Sequence, residues 1–387
     1  MDNIAGRKSG LSWAVNLSVV LLVALWLFPT VGLLVSSFRT ADQIAASGWW
    51  KALFPSEQVV QLRTGGPEAA TQEGDLWVVE GNLLEEAEEG PEPGTEITRF
   101  GVSSKAVDAY AVGEVASFTK DTKTFTMDAE GNYRFTSTKE LKKRGQRVFI
   151  TATLPPEFTL ANYDQVLLSG NSNDSMTKAF LNTLTVTIPA TIIPIVIAAF
   201  AAYALAWMEF PGRALLIAAV VGLLVVPLQL ALIPLLKLHL NIGIGKGYLG
   251  VWLAHTGFGL PLAIYLLRNY MSGLPRDIIE NAKVDGATDF QIFTKIILPL
   301  SFPALASFAI FQFLWTWNDL LVAKVFLIDS TGNTTVMTNQ IVELLGTRGG
   351  NWEILATAAF VSISVPLLVF FAMQRYLVRG LLAGSVK

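Results

Sequence analysis

The stretch Glu280–Pro303, ENAKVDGATDFQIFTKIILPLSFP, decides how the rest of the chain is read. Apolar or small residues recur at helical spacing through it and just before it, at Ile279, Ala282, Gly286, Phe290, Phe293 and Ile297. Glu280, Lys283, Asp285 and Asp289 fall elsewhere around the same helix, so the segment reads as amphipathic. It lies in a polar interval, 268–303, between two apolar runs long enough to cross a bilayer, where a short loop would suffice. Such a helix is either a docking surface for another protein or an interfacial helix lying on lipid. Pro275 suits an early helical position. Gly286 costs roughly 1 kcal/mol relative to alanine inside a helix, which predicts a bend or a very close approach there.

The solvent for most of the chain is lipid. Of its 387 residues 52% are hydrophobic and only 15% charged, whereas soluble domains carry about a quarter charged. Six apolar runs, 17–36, 183–207, 214–236, 247–267, 304–327 and 354–377, reach the length of about 20 residues that a hydrocarbon core requires. Arg7 and Lys8 precede the first run as they would in a signal peptide, but the run exceeds a signal peptide's apolar core, so it reads as an uncleaved span. The chain has no cysteine, which excludes disulfides and thiolate metal sites, and its two histidines, His239 and His255, sit beside or inside spans. No metal site, catalytic constellation or nucleic-acid partner is expected.

Charge is divided sharply. Residues 41–175 hold 12 Lys and Arg against 21 Asp and Glu, a net −9, which leaves +6 elsewhere. One set of short segments carries Arg7, Lys8, Arg213, Arg268, Arg276, Lys283, Lys295, Arg375, Arg379 and Lys387, and the opposite set carries Lys237, Lys246 and Arg348. Basic residues resist translocation, so both termini and the interval 268–303 are expected in the cytoplasm and the acidic block outside it. Within that block, Glu85–Glu96 reads as a solvated loop or linker. Thr124–Met127 and Tyr133–Thr136 alternate like half-buried strands around a turn at Asp128–Asn132, and Arg147–Thr153 is another strand candidate. The expected organisation is 1–40 for the N-terminus and first span, 41–175 for an exported insertion with a β-rich subdomain at about 74–153, and 176–387 for five further spans.

The order Glu280, Ala282, Gly286, Ile296, Leu298-Pro299 resembles the coupling motif in permease subunits of bacterial ABC importers. With Asp285-Gly286-Ala287, Phe293 and Pro303 it resembles the carbohydrate-uptake branch, although Asn281 stands where that family usually has alanine. Asn162-Tyr163, Asn182-Thr183, Trp317-Asn318-Asp319 and the tail Gly380–Lys387 are similar to the second permease of maltose-type systems. The likeness covers 11–40 and 157–387, and the long insertion after the first span resembles the α-glucoside permeases. This implies an all-α polytopic membrane protein of six transmembrane helices, the type I ABC importer permease fold, with a small β-rich exported insertion domain between helices 1 and 2.

The resemblance also implies an inner-membrane protein working with a second homologous permease, two cytoplasmic ATPase subunits and an extracytoplasmic sugar-binding protein. ATP is then used by the partner subunit, with no cofactor bound directly by this chain. No Gly-x-x-x-x-Gly-Lys-Ser/Thr loop is present to hold ATP phosphates, and Gly243–Gly247 lacks the residues that would make one. Glu280, Ala282, Asp285, Gly286 and Ala287 are the expected coupling residues. In the fifth run Gln312, Trp315, Asn318 and Asp319 are candidates for the translocation path: Phe308, Gln312, Trp315 and Asp319 fall on one helical face, with Asn318 beside Asp319. The alternative for Trp315, Trp317 and Asn318 is an interfacial belt or a helix–helix hydrogen bond, and for Asp319 a packing carboxylate near Lys324. Gly346, Gly349 and Gly350 are candidates for contact with the binding protein, and an ordinary connection would look similar. The insertion itself is either a contact surface for an extracytoplasmic partner or a tolerated loop insertion. An ion-coupled secondary transporter and a membrane-anchored receptor with an exported β domain are the competing classes; the first needs mid-membrane ionisable groups in matching halves, and the spans are nearly free of charge.

Overall fold

The computed structural model describes residues 10–87, 90–92, 94–118, 122–141, 144–168, 176–328, 331–347 and 351–382. The chain divides into two units, Met1–Asn162 with Asn351–Thr357, and Tyr163–Gly350 with Ala358–Lys387.

The first unit begins with α1 (Gly10–Ser36), an apolar helix whose side chains from Leu11 to Phe28 are exposed. A short α2 (Ala41–Ala46) follows, started by a reciprocal cap between Thr40 and Gln43. Nine strands come next: β1 (Ser56–Arg63), β2 (Thr71–Glu73), β3 (Leu76–Asn82), β4 (Ile97–Gly101), β5 (Tyr110–Ala111), β6 (Ala116–Ser117), β7 (Lys123–Met127), β8 (Asn132–Ser137) and β9 (Arg147–Leu154). They form two antiparallel sheets, ordered β1-β9-β4-β5 and β2-β3-β8-β7-β6. Alternate residues of both sheets enter one core: Leu62, Ile97, Phe100, Val148 and Ile150 from the first, Val79, Phe125, Met127, Tyr133 and Phe135 from the second.

The expected hairpin is present as β7–β8. Asp128 accepts from the backbone N–H groups of Glu130 and Asn132, and Gly131 takes φ +88° to complete the turn. The sheets start at Ser56, ahead of the expected position 74, so three strands precede the acidic Glu85–Glu96 stretch. Its described residues lie between β3 and β4 outside any strand, and Glu86 accepts the Tyr133 hydroxyl at 2.8 Å. Asn162, in α3 (Ala161–Leu167), is buried and donates to the carbonyls of Ser37 and Arg39, tying the end of the insertion to its beginning.

The second unit is helical. Its elements are α4 (Met176–Trp207), α5 (Arg213–Leu223), α6 (Leu228–Asn241), α7 (Tyr248–Ser272), α8 (Arg276–Val284), α9 (Asp289–Ile292), α10 (Leu298–Leu300), α11 (Phe302–Trp317), α12 (Leu321–Phe326) and α13 (Met337–Thr347). The last helix, α14 (Trp352–Leu382), begins in the first unit and continues into the second. Among the described residues, α1, α4, α7 and α14 are each long and apolar enough to cross a membrane, and two bent pairs bring the number to six. One pair is α5 and α6, bent by 111°; the other joins Asp289–Leu300 to α11 at 69°.

Two expected straight spans are therefore broken. The run 214–236 turns at Leu224–Val226, where Pro227, without an N–H, precedes α6 at ψ 125°. The run 304–327 stops at Trp317 and restarts at Leu321, because the Asp319 carboxylate accepts from the N–H groups of Val322 and Ala323 and so begins α12. Alanines let α4 lie close to its neighbours: Ala198, Ala199 and Ala202 pack with Ala263, Leu267 and Met271 of α7 and Phe308 of α11. A second cluster joins Val186 of α4, Leu232 of α6, Val251 and Ala254 of α7, and Val322 and Phe326 of α12.

Candidate functional site

Between α7 and α11 the chain makes a compact helical turn with one face inside the protein. Ile279 and Ala282 of α8, Ile292 of α9, and Phe293 and Ile297 of the five-residue π-helical segment that follows are buried in the α4–α7–α11 core. Glu280, Asn281, Lys283, Val284, Asp285 and Gly286 are exposed.

The end of α8 is built by hydrogen bonds. Gly286 N–H donates to the Lys283 carbonyl and Ala287 N–H to the Ala282 carbonyl, both at 3.0 Å, with Gly286 at φ +80°. This is a Schellman ending, which needs a left-handed residue at that position. Thr288 and Gln291 then cap each other to start α9. The reversal brings Asp289 back to Lys283, 3.8 Å away, and within 3.3 Å of the Tyr203 hydroxyl on α4, which donates to it. Gly286 serves the bend; within this chain nothing lies within 4 Å of where its Cβ would be, so it does not serve close packing here. Ala282 and Ala287 do pack on the core.

The reversal also resets the helical phase, so the single apolar face expected across Gly286 does not exist. Phe290, expected on one face with Ile279 and Phe293, is 65% exposed while those two are buried, and Val284, assigned to no face, is 86% exposed. Together they leave an apolar tip on an otherwise polar turn. Their signal in the sequence was the Asp285-Gly286 helix stop itself, which ends one periodicity and starts another.

The path candidates separate. Gln312 is 1% exposed and donates to the carbonyls of Ala190 on α4 and His255 on α7. Gly259 makes room for it, since a Cβ there would stand 2.6 Å from its Oε1. Gln312 is thus a three-helix tie. Trp315 is half-exposed and meets the buried His255 ring edge-on. Asn318 is exposed and donates to the Leu314 carbonyl, past the last turn of α11. Asp319 caps α12 and lies 3.7 Å from His255 Nε2. Because α11 ends at Trp317, Asn318 and Asp319 do not continue the Gln312–Trp315 helical face. Trp317 is buried, stacked on Phe313, and donates to the Ser362 carbonyl. His255, which faces both Trp315 and Asp319, was named in the sequence only as a poor metal ligand.

Gly346 lies in the backbone of α13; Gly349 and Gly350 fall outside the described residues. The segment leading into α13 is fixed by a motif on α4, about 150 residues earlier in the chain. Asn182 donates to the carbonyls of Asn333 and Thr335 and accepts from the Tyr248 hydroxyl, and Thr183 accepts from the N–H of Met337.

Residues 180–382 match the family described as binding-protein-dependent transport system inner membrane component. The chain is 58% identical to the Alpha-glucoside transport system permease protein AglG of Rhizobium meliloti (strain 1021), over 98% of this chain and 98% of that protein. It is 59% identical to the Osmoprotective compounds uptake permease protein GgtD of Synechocystis sp. (strain ATCC 27184 / PCC 6803 / Kazusa), over 60% of this chain and 76% of that protein. Among solved structures it is similar to a chain of a bacterial ABC transporter involved in the import of the acidic polysaccharide alginate. The two are 21% identical with a TM-score of 0.47, covering 58% of this chain and 81% of that chain.

Proposed function

The chain belongs to the inner membrane components of binding-protein-dependent transport systems, and on that premise we propose that it is one of two permease subunits of an ATP-driven importer of α-glucosides. It is a multi-pass inner membrane transport permease, not an enzyme. The observation that carries the sugar class is the 58% identity to an α-glucoside permease over nearly the whole of both chains, exported insertion included. Membership of this family sets aside the ion-coupled transporter and the anchored receptor.

In this reading both termini face the cytoplasm, as the excess of Lys and Arg in one set of loops implies. The α8–α9 turn enters a cleft of one partner ATPase, with Val284 and Phe290 as apolar anchors. Glu280 and Asp285 supply polar contacts at its exposed rim, and Ala282 and Ala287 seat the turn on the bundle. Closure of the ATPases on ATP moves the turn, and the packing of Ile279, Phe293 and Ile297 against α4, α7 and α11 transmits the motion as a rigid shift. Gln312 keeps the three helices together during it, while Trp315, Asn318 and Asp319 border the path. The α13 region around Gly346–Gly350 receives the binding protein.

The test is uptake of labelled maltose, as an α-glucoside probe, by proteoliposomes holding this chain, its partner permease, the ATPase and the binding protein. Uptake that needs ATP and all four components is expected. Uptake that persists without the ATPase, or a system that moves no α-glucoside while moving another solute, contradicts the proposal.

A further inference from the structure

The exported domain carries a net −9, yet one end of its two-sheet sandwich gathers cations. A cleft of about 450 Å³ is lined by Arg63, Lys123, Lys139, Arg144 and Arg147, with Glu140 the one acidic residue among its described lining. Those five are drawn from 12 basic residues in the whole insertion, where 21 acidic residues were available as counter-ions. None of the five forms an ion pair among the described residues. Elsewhere in the domain the acids do find partners: Arg134 pairs with both Glu73 and Glu80.

The backbone register makes the clustering costly. Arg63 on β1 stands directly opposite Arg147 on β9 in the antiparallel ladder, and like charges facing each other across strands are destabilising. The Arg63 guanidinium is held toward the cleft by a hydrogen bond to the Gly145 carbonyl at 3.2 Å. Lys123, on β7, and Lys139, just after β8, approach from the other sheet, with the Lys123 ammonium 5.7 Å above the ring of the buried Phe135. A local cost retained at a concave site is the signature of a site shaped for something other than stability.

We propose that this cleft binds a small polyanion bearing two or more phosphate or carboxylate groups. Its volume lies in the range of about 300–1,000 Å³ typical of small-ligand sites, too small for a folded partner. The cations reach the cleft from both sheets, Arg63 and Arg147 from one and Lys123 from the other, a spread of charge that favours several anionic groups over one. Arginine forks suit phosphate and carboxylate in bidentate contact. The inference is independent of which sugar the permease moves.

The experiment is calorimetric titration of the full chain in neutral detergent with tripolyphosphate and, separately, inorganic phosphate. Tripolyphosphate is expected to bind more tightly than phosphate, and binding is expected to vanish as salt rises from about 0.05 to about 0.5 M. The double variant Arg63→Ala/Arg147→Ala is expected to weaken it at least about tenfold, which is about 1.4 kcal/mol. Lys139→Ala/Arg144→Ala, beyond the strand ends, gives the same loss if the strand pair proves needed for folding, and Arg99→Ala serves as the control. Nanodiscs with and without cardiolipin, whose headgroup carries two phosphates, separate the sources. If the anionic lipid competes with tripolyphosphate, a lipid headgroup is the occupant, and if it does not, a free solute is. Absence of binding at low salt, affinity in both double variants unchanged from that of the parent chain, or an equal loss in Arg99→Ala overturns the proposal.

Discussion

Two buried polar residues show how single side chains constrain this molecule. Gln312 and Gly259 form one unit: the glycine leaves the space that the amide fills, and the amide reaches carbonyls on two other helices. Gly259→Ala is expected to destabilise the full chain by about 1–3 kcal/mol through overpacking, read as a fall in melting temperature. The same change in a Gln312→Ala background is expected to cost much less, because the clashing atoms are gone, so the two effects are not additive. Equal costs in both backgrounds would mean that the two do not share the space. Tyr133 acts in the sheet sandwich. It is 4% exposed, accepts from the Gly65 N–H and donates to Glu86, and burial above all holds its pKa above the ordinary tyrosine value. The folded state therefore keeps the proton more tightly than the unfolded chain does. The contribution is fully present below about pH 10 and is lost as pH rises further. Alkaline unfolding of the sheets, followed by near-ultraviolet circular dichroism, is expected to begin above about pH 10 and to lose part of its steepness in Tyr133→Phe.

Elements differ in how far the sequence announces them. The six apolar runs and the β7–β8 hairpin were legible because hydrophobic length and two-residue alternation are local signals. The breaks in the third and fifth runs were not, since hydropathy is continuous across Pro227 and Asp319 and only the capping geometry reveals the stop. Strands β1 to β3 lack a clear signal for a related reason: Val59-Val60 and Val78-Val79 interrupt strict alternation, and the acidic stretch beyond them reads as a solvated loop or linker ahead of the later strands. At the candidate site the buried residues of α8 were legible, whereas Phe290 was misplaced because one period was carried through a glycine that ends the helix. Two elements invite tests. Asn182→Ala removes bonds to Asn333, Thr335 and Tyr248 at once, so faster amide hydrogen exchange is expected in 331–347 with little change in α7. Gly286→Val forces a branched residue into a left-handed turn at a cost of about 1–2 kcal/mol or more. It is expected to loosen the α8–α9 turn and to lower copurification of the ATPase while leaving the two sheets unchanged; unchanged copurification would show that the turn geometry is not what the partner reads.

At the scale of the whole molecule, two units with separate cores share one chain: one begins with the membrane-length α1 and holds the acidic sheet sandwich, and the other is a helical bundle that carries the remaining spans. The bundle buries one face of the α8–α9 turn and leaves the other, tipped by Val284 and Phe290, uncovered. That uncovered face is where the account places energy input. The absence of cysteine from the sequence makes the claim directly measurable, because a single introduced thiol reports on one position. Asp285→Cys, in the assembled transporter, should cross-link to the ATPase with a short thiol-directed reagent, and ATP should change the yield. Cysteine placed instead at Thr126, on β7 of the sheet sandwich, should not cross-link to it. Cross-linking absent from Asp285→Cys in a transporter that still imports sugar would contradict the account.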